Sequence, residues 1–67
     1  MTADIRKMVV DDGSLSIMAK NVKIITIEGV VTLRGPVETE EEKAAVESHA
    51  KQAGAKTITN QLEIKKS

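Results

Sequence analysis

The sequence predicts a small α+β domain of α-β-β-α-β order, a three-stranded mixed sheet with two helices on one face, and three stretches carry that prediction. Val22–Val37 holds two β-rich runs that meet at Glu28-Gly29. Thr39-Glu40-Glu41-Glu42 has the form of a capping box that opens a helix. Thr57–Ile64 alternates Ile58, Asn60, Leu62 and Ile64 with Thr57, Thr59, Gln61 and Glu63, the pattern of a strand with one buried face.

Thr2 or Asp4 is placed to cap a first helix reaching about Asp11, with Ile5, Met8 and Val9 as its buried stripe and Arg6 and Lys7 pointing to water. Asp11-Asp12-Gly13-Ser14 ends it. Leu15, Ile17 and Met18 are then expected to enter the core as a short helical turn or irregular segment. Strands are expected over Val22–Ile27 and Val30–Arg34, the second leaving through Gly35-Pro36-Val37. Pro36 lacks a ladder donor and marks a strand end or an edge.

A two-residue Glu28-Gly29 connection, with Gly29 supplying positive φ, pairs Ile27 with Val30, Thr26 with Val31, Ile25 with Thr32 and Ile24 with Leu33. Side chains alternate across a pleated strand, so Val22, Ile24, Thr26, Val31 and Leu33 share the core face. Lys23, Ile25, Ile27, Val30, Thr32 and Arg34 share the other. That second face is unusual for a solvated sheet surface, because branched aliphatics gather at the turn end and two cations at the far end.

In the second helix Thr39 is expected to accept from the backbone of Glu42, whose side chain reaches back to the cap. The acidic cluster suits the positive end of the macrodipole. The helix should run to about Ala53, burying Val46, Ala50 and Ala53 with His49 at the margin, and Gly54 closes it. A right-handed crossover brings in the last strand, and Lys65-Lys66-Ser67 is a polar tail.

The length allows one domain, spanning 1–67 with its core at about 3–65, near the lower limit for stability by hydrophobic burial alone. Ten acidic and ten basic side chains cancel, which argues against a polyanion such as nucleic acid as the main partner. Without cysteine there is no disulfide framework or thiolate site, and without aromatics there is no stacking platform or cation cage. No apolar run approaches the roughly 20 residues of a membrane span, so no transmembrane segment is expected. Met1–Val10 is too charged for a signal peptide.

No catalytic or metal constellation emerges, and no cofactor is expected. His49 stands without a second nitrogen or sulfur ligand and reads as a boundary histidine. Glu38, Glu40, Glu41 and Glu42 read as a solvated helix start rather than a cation or acid/base site. Ser14, Ser16 and Ser48 lack a base and an orienting group. The element order suggests the RNA-binding KH module by analogy, but its GXXG loop between two helices is missing.

Taken together, Asn21–Ile64 resembles the BON domain, a small bacterial module of osmotically inducible periplasmic proteins and other envelope-associated proteins. The signature V-x-V-x-x-x-x-G-x-V-x-L-x-G-x-V, a polar helix, then G-V-x-x-V-x-N-x-L is met by Val22, Ile24, Gly29, Val31, Leu33, Gly35, Val37, Gly54, Ile58, Asn60 and Leu62. Ala55 stands where the family often has valine, and Thr26 replaces an apolar strand residue.

The resemblance implies a non-enzymatic module that binds phospholipid or holds proteins at bacterial membranes, with a periplasmic location. It carries no lipid-contacting residue across. The sequence's own candidate surface for anionic phospholipid, or for another protein domain or copy, is Lys23, Ile25, Ile27, Val30 and Arg34. No oligomeric state is specified by these residues.

Overall fold

The structure is a computed structural model that describes residues 1–65. Its elements are α1 (Thr2–Asp11), the one-turn α2 (Ile17–Lys20), β1 (Lys23–Ile27), β2 (Val30–Val37), α3 (Glu40–Gln52) and β3 (Thr57–Ile64). This is the predicted α-β-β-α-β order, with α2 as the helical turn expected between the first helix and the hairpin. The sheet order is β1-β2-β3, antiparallel between β1 and β2 and parallel between β2 and β3.

The hairpin register is the one its two-residue turn dictates, from Ile27 opposite Val30 to Lys23 opposite Arg34. Both turn residues adopt positive φ, Glu28 at 49° and Gly29 at 83°, as the type I′ geometry that matches strand twist requires. Three residues of β2 then depart from expectation. The strand does not stop at Arg34 but continues to Val37, with Gly35, Pro36 and Val37 paired to Leu62, Glu63 and Ile64.

Pro36 is tolerated in this middle strand because β1 has already ended. The Val37 carbonyl receives the Lys65 N–H at 2.7 Å, so Val37 faces β3 and the alternation turns the Pro36 nitrogen to the opposite side. No β1 residue is paired there, so the edge condition holds locally. At Gly35, φ is +134° and an added Cβ would lie 3.2 Å from Val22 Cα, so the chain crosses β2 where only glycine fits.

Ile5, Val9, Leu15, Ala19, Val22, Ile24, Val31, Leu33, Val37, Val46, Ala50 and Leu62 form one buried cluster between the helices and one sheet face. The helix stripe is Ile5 and Val9, with Met8 half-buried. Ile17 is a correction: it is 80 % exposed, Met18 is half-buried, and Ala19 enters the core instead. Ser16 explains the difference, since its hydroxyl accepts from the Ala19 N–H and so caps α2, turning Ile17 outward and Ala19 inward.

The start of α1 also differs. Its N-cap is Met1, without a side-chain cap, so neither Thr2 nor Asp4 plays that part. The Thr2 hydroxyl instead lies 2.6 Å from the Thr26 hydroxyl, which satisfies the polar residue set in an otherwise apolar core face. Lys7 is exposed as expected, but Arg6 bends back and donates to the Lys20 carbonyl at 2.9 Å.

Thr39 caps α3 as predicted, accepting from the Glu42 N–H at 3.1 Å, and Gly54 follows the helix with φ +97°. Ala53 is the C-cap and half-buried against the core. Of the polar tail, Lys65 is exposed, and Lys66 and Ser67 lie outside the described residues.

Candidate functional site

The helices cover one side of the sheet and leave the other open. Parallel pairing extends the hairpin's outer face across β3 in rungs: Ile27, Val30 and Thr57; Ile25, Thr32 and Thr59; Lys23, Arg34 and Gln61; then Pro36 with Glu63. All five candidate residues, Lys23, Ile25, Ile27, Val30 and Arg34, therefore share this face. Ile27 is 65 % and Val30 38 % exposed, and Ile25 is half-buried beside Thr32 and Thr59.

Lys23 and Arg34 are direct cross-strand partners, and both are exposed. Among the described residues neither has an ion-pair partner, whereas Glu63 at the same end is 3.3 Å from the Lys65 ammonium. Two like charges placed opposite each other repel and are a cost to the folded sheet. Beyond them lies an open depression of about 640 Å³, bordered by Asn21, Lys23, Arg34, Gly35, Pro36, Gln61, Glu63 and Lys65. It exists because β1 stops short while β2 and β3 run on. Its rim carries Lys23 and Arg34, neither ion-paired among the described residues, together with the Glu63–Lys65 pair.

The contributions of β3, Thr57, Thr59 and Gln61, are absent from the sequence-derived candidate set. Their outward alternation is readable, but joining them to the hairpin requires the parallel register, which a 13-residue helix between the strands hides.

The polar groups on the helical side serve the fold. Glu42 is the main correction: it is not a solvated acid of the helix start but 8 % exposed, and it does not reach the Thr39 cap. Its Oε1 accepts from the Glu38 N–H at 2.8 Å and the Ser16 hydroxyl at 3.0 Å, and its Oε2 from the Ser16 N–H at 2.7 Å. Burial pushes the carboxyl up, but the Glu38 N–H and the two Ser16 donors outweigh it and hold the pKa below the ordinary value.

His49 does sit at the margin, its Nε2 donating to Asp12 Oδ2 at 2.9 Å, since an ionised carboxylate only accepts. The Ser14 hydroxyl and N–H bind Asp12 Oδ1 at 2.6 and 2.9 Å. The Ser14 hydroxyl first, then His49 and the Ser14 N–H, lower the Asp12 pKa to about 2. Among the described residues no group of three His, Asp or Glu side chains is arranged to hold a metal ion, and no helix is long and apolar enough to cross a membrane.

The class of protein this defines is a small α+β module whose sheet is packed on one side and bare on the other. The family model of the BON domain matches residues 1–66, essentially the entire chain, and the chain belongs to the BON domain family. That family is known as a membrane- and phospholipid-binding module of periplasmic and envelope proteins, a binding rather than a catalytic family. A search of curated proteins finds no match to the chain.

Proposed function

We propose that this chain is a non-enzymatic module of the bacterial envelope that attaches to anionic phospholipid surfaces through its open sheet face, on the periplasmic side and in the setting of osmotic or envelope stress. The observation that carries the proposal is the segregation of that face, with Ile25, Ile27 and Val30 at the turn end and the unpaired Lys23 and Arg34 at the other. Four residues of strand separate Ile27 from Lys23, roughly 13 Å. A tilted approach sets the aliphatics at the acyl boundary and the cations against lipid phosphates, each cation contributing about 1 kcal/mol near an anionic surface. Glu28 at the turn is exposed and keeps insertion shallow.

The exposed Ile27 equally favours a second reading, packing of this face on another domain or copy. Area favours the first. Three strands of up to eight residues offer a face of roughly 400 Å², about half the ~800 Å² per partner of a standard stable interface. A lipid surface sets no such minimum.

Vesicle co-sedimentation tests the reading. Binding should require anionic lipid, weaken as salt rises to physiological levels, and fall sharply in a folded Lys23→Glu, Arg34→Glu double variant. Unaltered binding by that variant would move the site to Arg6, Lys7 and α1. Absence of binding to any anionic vesicle would leave the assembly reading in its place.

A further inference from the structure

The long free edge of the sheet is β3, and its backbone polarity follows from its ladder. The Thr57 N–H donates to the Gly29 carbonyl and the Lys65 N–H to the Val37 carbonyl, so the odd-numbered residues of β3 point their backbone groups at β2. The N–H groups of Ile58, Asn60, Leu62 and Ile64 therefore point outward. An eight-residue edge of this kind is a template for strand addition.

One of those four donors is already taken. The Leu62 N–H donates to Asn60 Oδ1 at 3.1 Å. The amide that provides this oxygen is fixed from the other side, because Asn60 Nδ2 donates to Glu47 Oε1 at 3.0 Å and to the Lys43 carbonyl at 3.4 Å. The Asn60 side chain thus bridges α3 to the edge and sits where the carbonyl of an added strand would have to lie.

We infer that Asn60 is an edge guard, whose side-chain cap on the Leu62 N–H prevents β3 from pairing with the β3 strand of a second copy. The second copy is the occupant the sequence fits. An antiparallel pair centred on Gln61 sets Ile58 opposite Ile64 and Asn60 opposite Leu62 on the helical side, with Thr59 opposite Glu63 and Thr57 opposite Lys65 on the bare side. No like charges meet. Without the guard, two three-stranded sheets would join into one of six strands.

The test compares the native chain with Asn60→Val and Asn60→Asp by sedimentation velocity and by amide hydrogen exchange. Valine favours a strand and removes the cap, so Asn60→Val should self-associate at least about tenfold more tightly than the native chain, with new protection at Ile58 and Ile64. Asn60→Asp keeps an acceptor for Leu62 while losing both amide donations, so it should be less stable yet associate no more than the native chain. In the native chain the Leu62 amide should exchange more slowly than those of Ile58 and Ile64. A folded Asn60→Val that associates no more tightly than native, association without protection along β3, or Asn60→Asp associating as strongly as Asn60→Val would overturn the inference. If Asn60→Val does not fold, a native Leu62 amide exchanging as fast as its outward neighbours overturns it as well.

Discussion

Ser16 and Glu42 hold each other across the helical layer, the Ser16 N–H donating to one carboxylate oxygen at 2.7 Å and its hydroxyl to the other at 3.0 Å. The same serine oxygen accepts from Ala19, and the same carboxylate accepts from Glu38. One buried acid therefore fastens the start of α2 to the start of α3, two segments with no backbone ladder between them.

Removing that acid should be costly. Glu42→Ala leaves the Ser16 and Glu38 N–H groups without their acceptor and is expected to lower stability by about 2–4 kcal/mol, a large share for a domain of this size. Glu42→Gln keeps one acceptor oxygen and should lose about half as much. Urea unfolding of both variants measures this, and equal midpoints for the native chain and Glu42→Ala would refute the clasp.

Thr39→Ala tests the helix start separately. The lost side-chain cap on Glu42 N–H should cost about 0.5–2 kcal/mol in the same assay, and less in Thr39→Ser, which keeps the hydroxyl.

Acid should unfold the chain by a route the geometry specifies. Asp12 titrates at about 2 in the fold against an ordinary 3.8, so between those values the unfolded chain binds more protons and stability rises with pH. The contribution is fully present above the ordinary value and lost as pH falls toward 2; Glu42, also lowered, acts in the same direction. The stability gap between the native chain and Asp12→Asn should therefore shrink as pH drops through this window. Urea midpoints at a series of pH values give the gap directly, and a gap independent of pH would count against the Ser14 and His49 contacts as its source.

What could be read from the residues followed from how local each device is. A two-residue turn fixes every rung of its hairpin, and the Thr39 cap closes within three residues, so both were legible. The role of Glu42 was not, because Ser16 is 26 positions away and nothing local marks a glutamate at a helix start as buried. Ile17 and Ala19 exchanged roles because a single helical turn has too few residues to show a period; the serine ahead of it was the available signal. The candidate face was half legible for a related reason. Its hairpin strands are neighbours in sequence, while its third strand arrives only after α3.

The carbonyl of Gly29 accepts from Lys56 at 2.9 Å and from Thr57 at 3.4 Å, so the hairpin turn is also the mooring of β3. Exposed two-residue turns are ordinarily places where a chain accepts extra length at little cost. Here an inserted residue would displace the acceptor that receives the first donors of the parallel strand, and so disturb the seating of a segment 27 residues downstream. The tip that looks most free to vary is the zero mark from which both neighbours of β2 are measured.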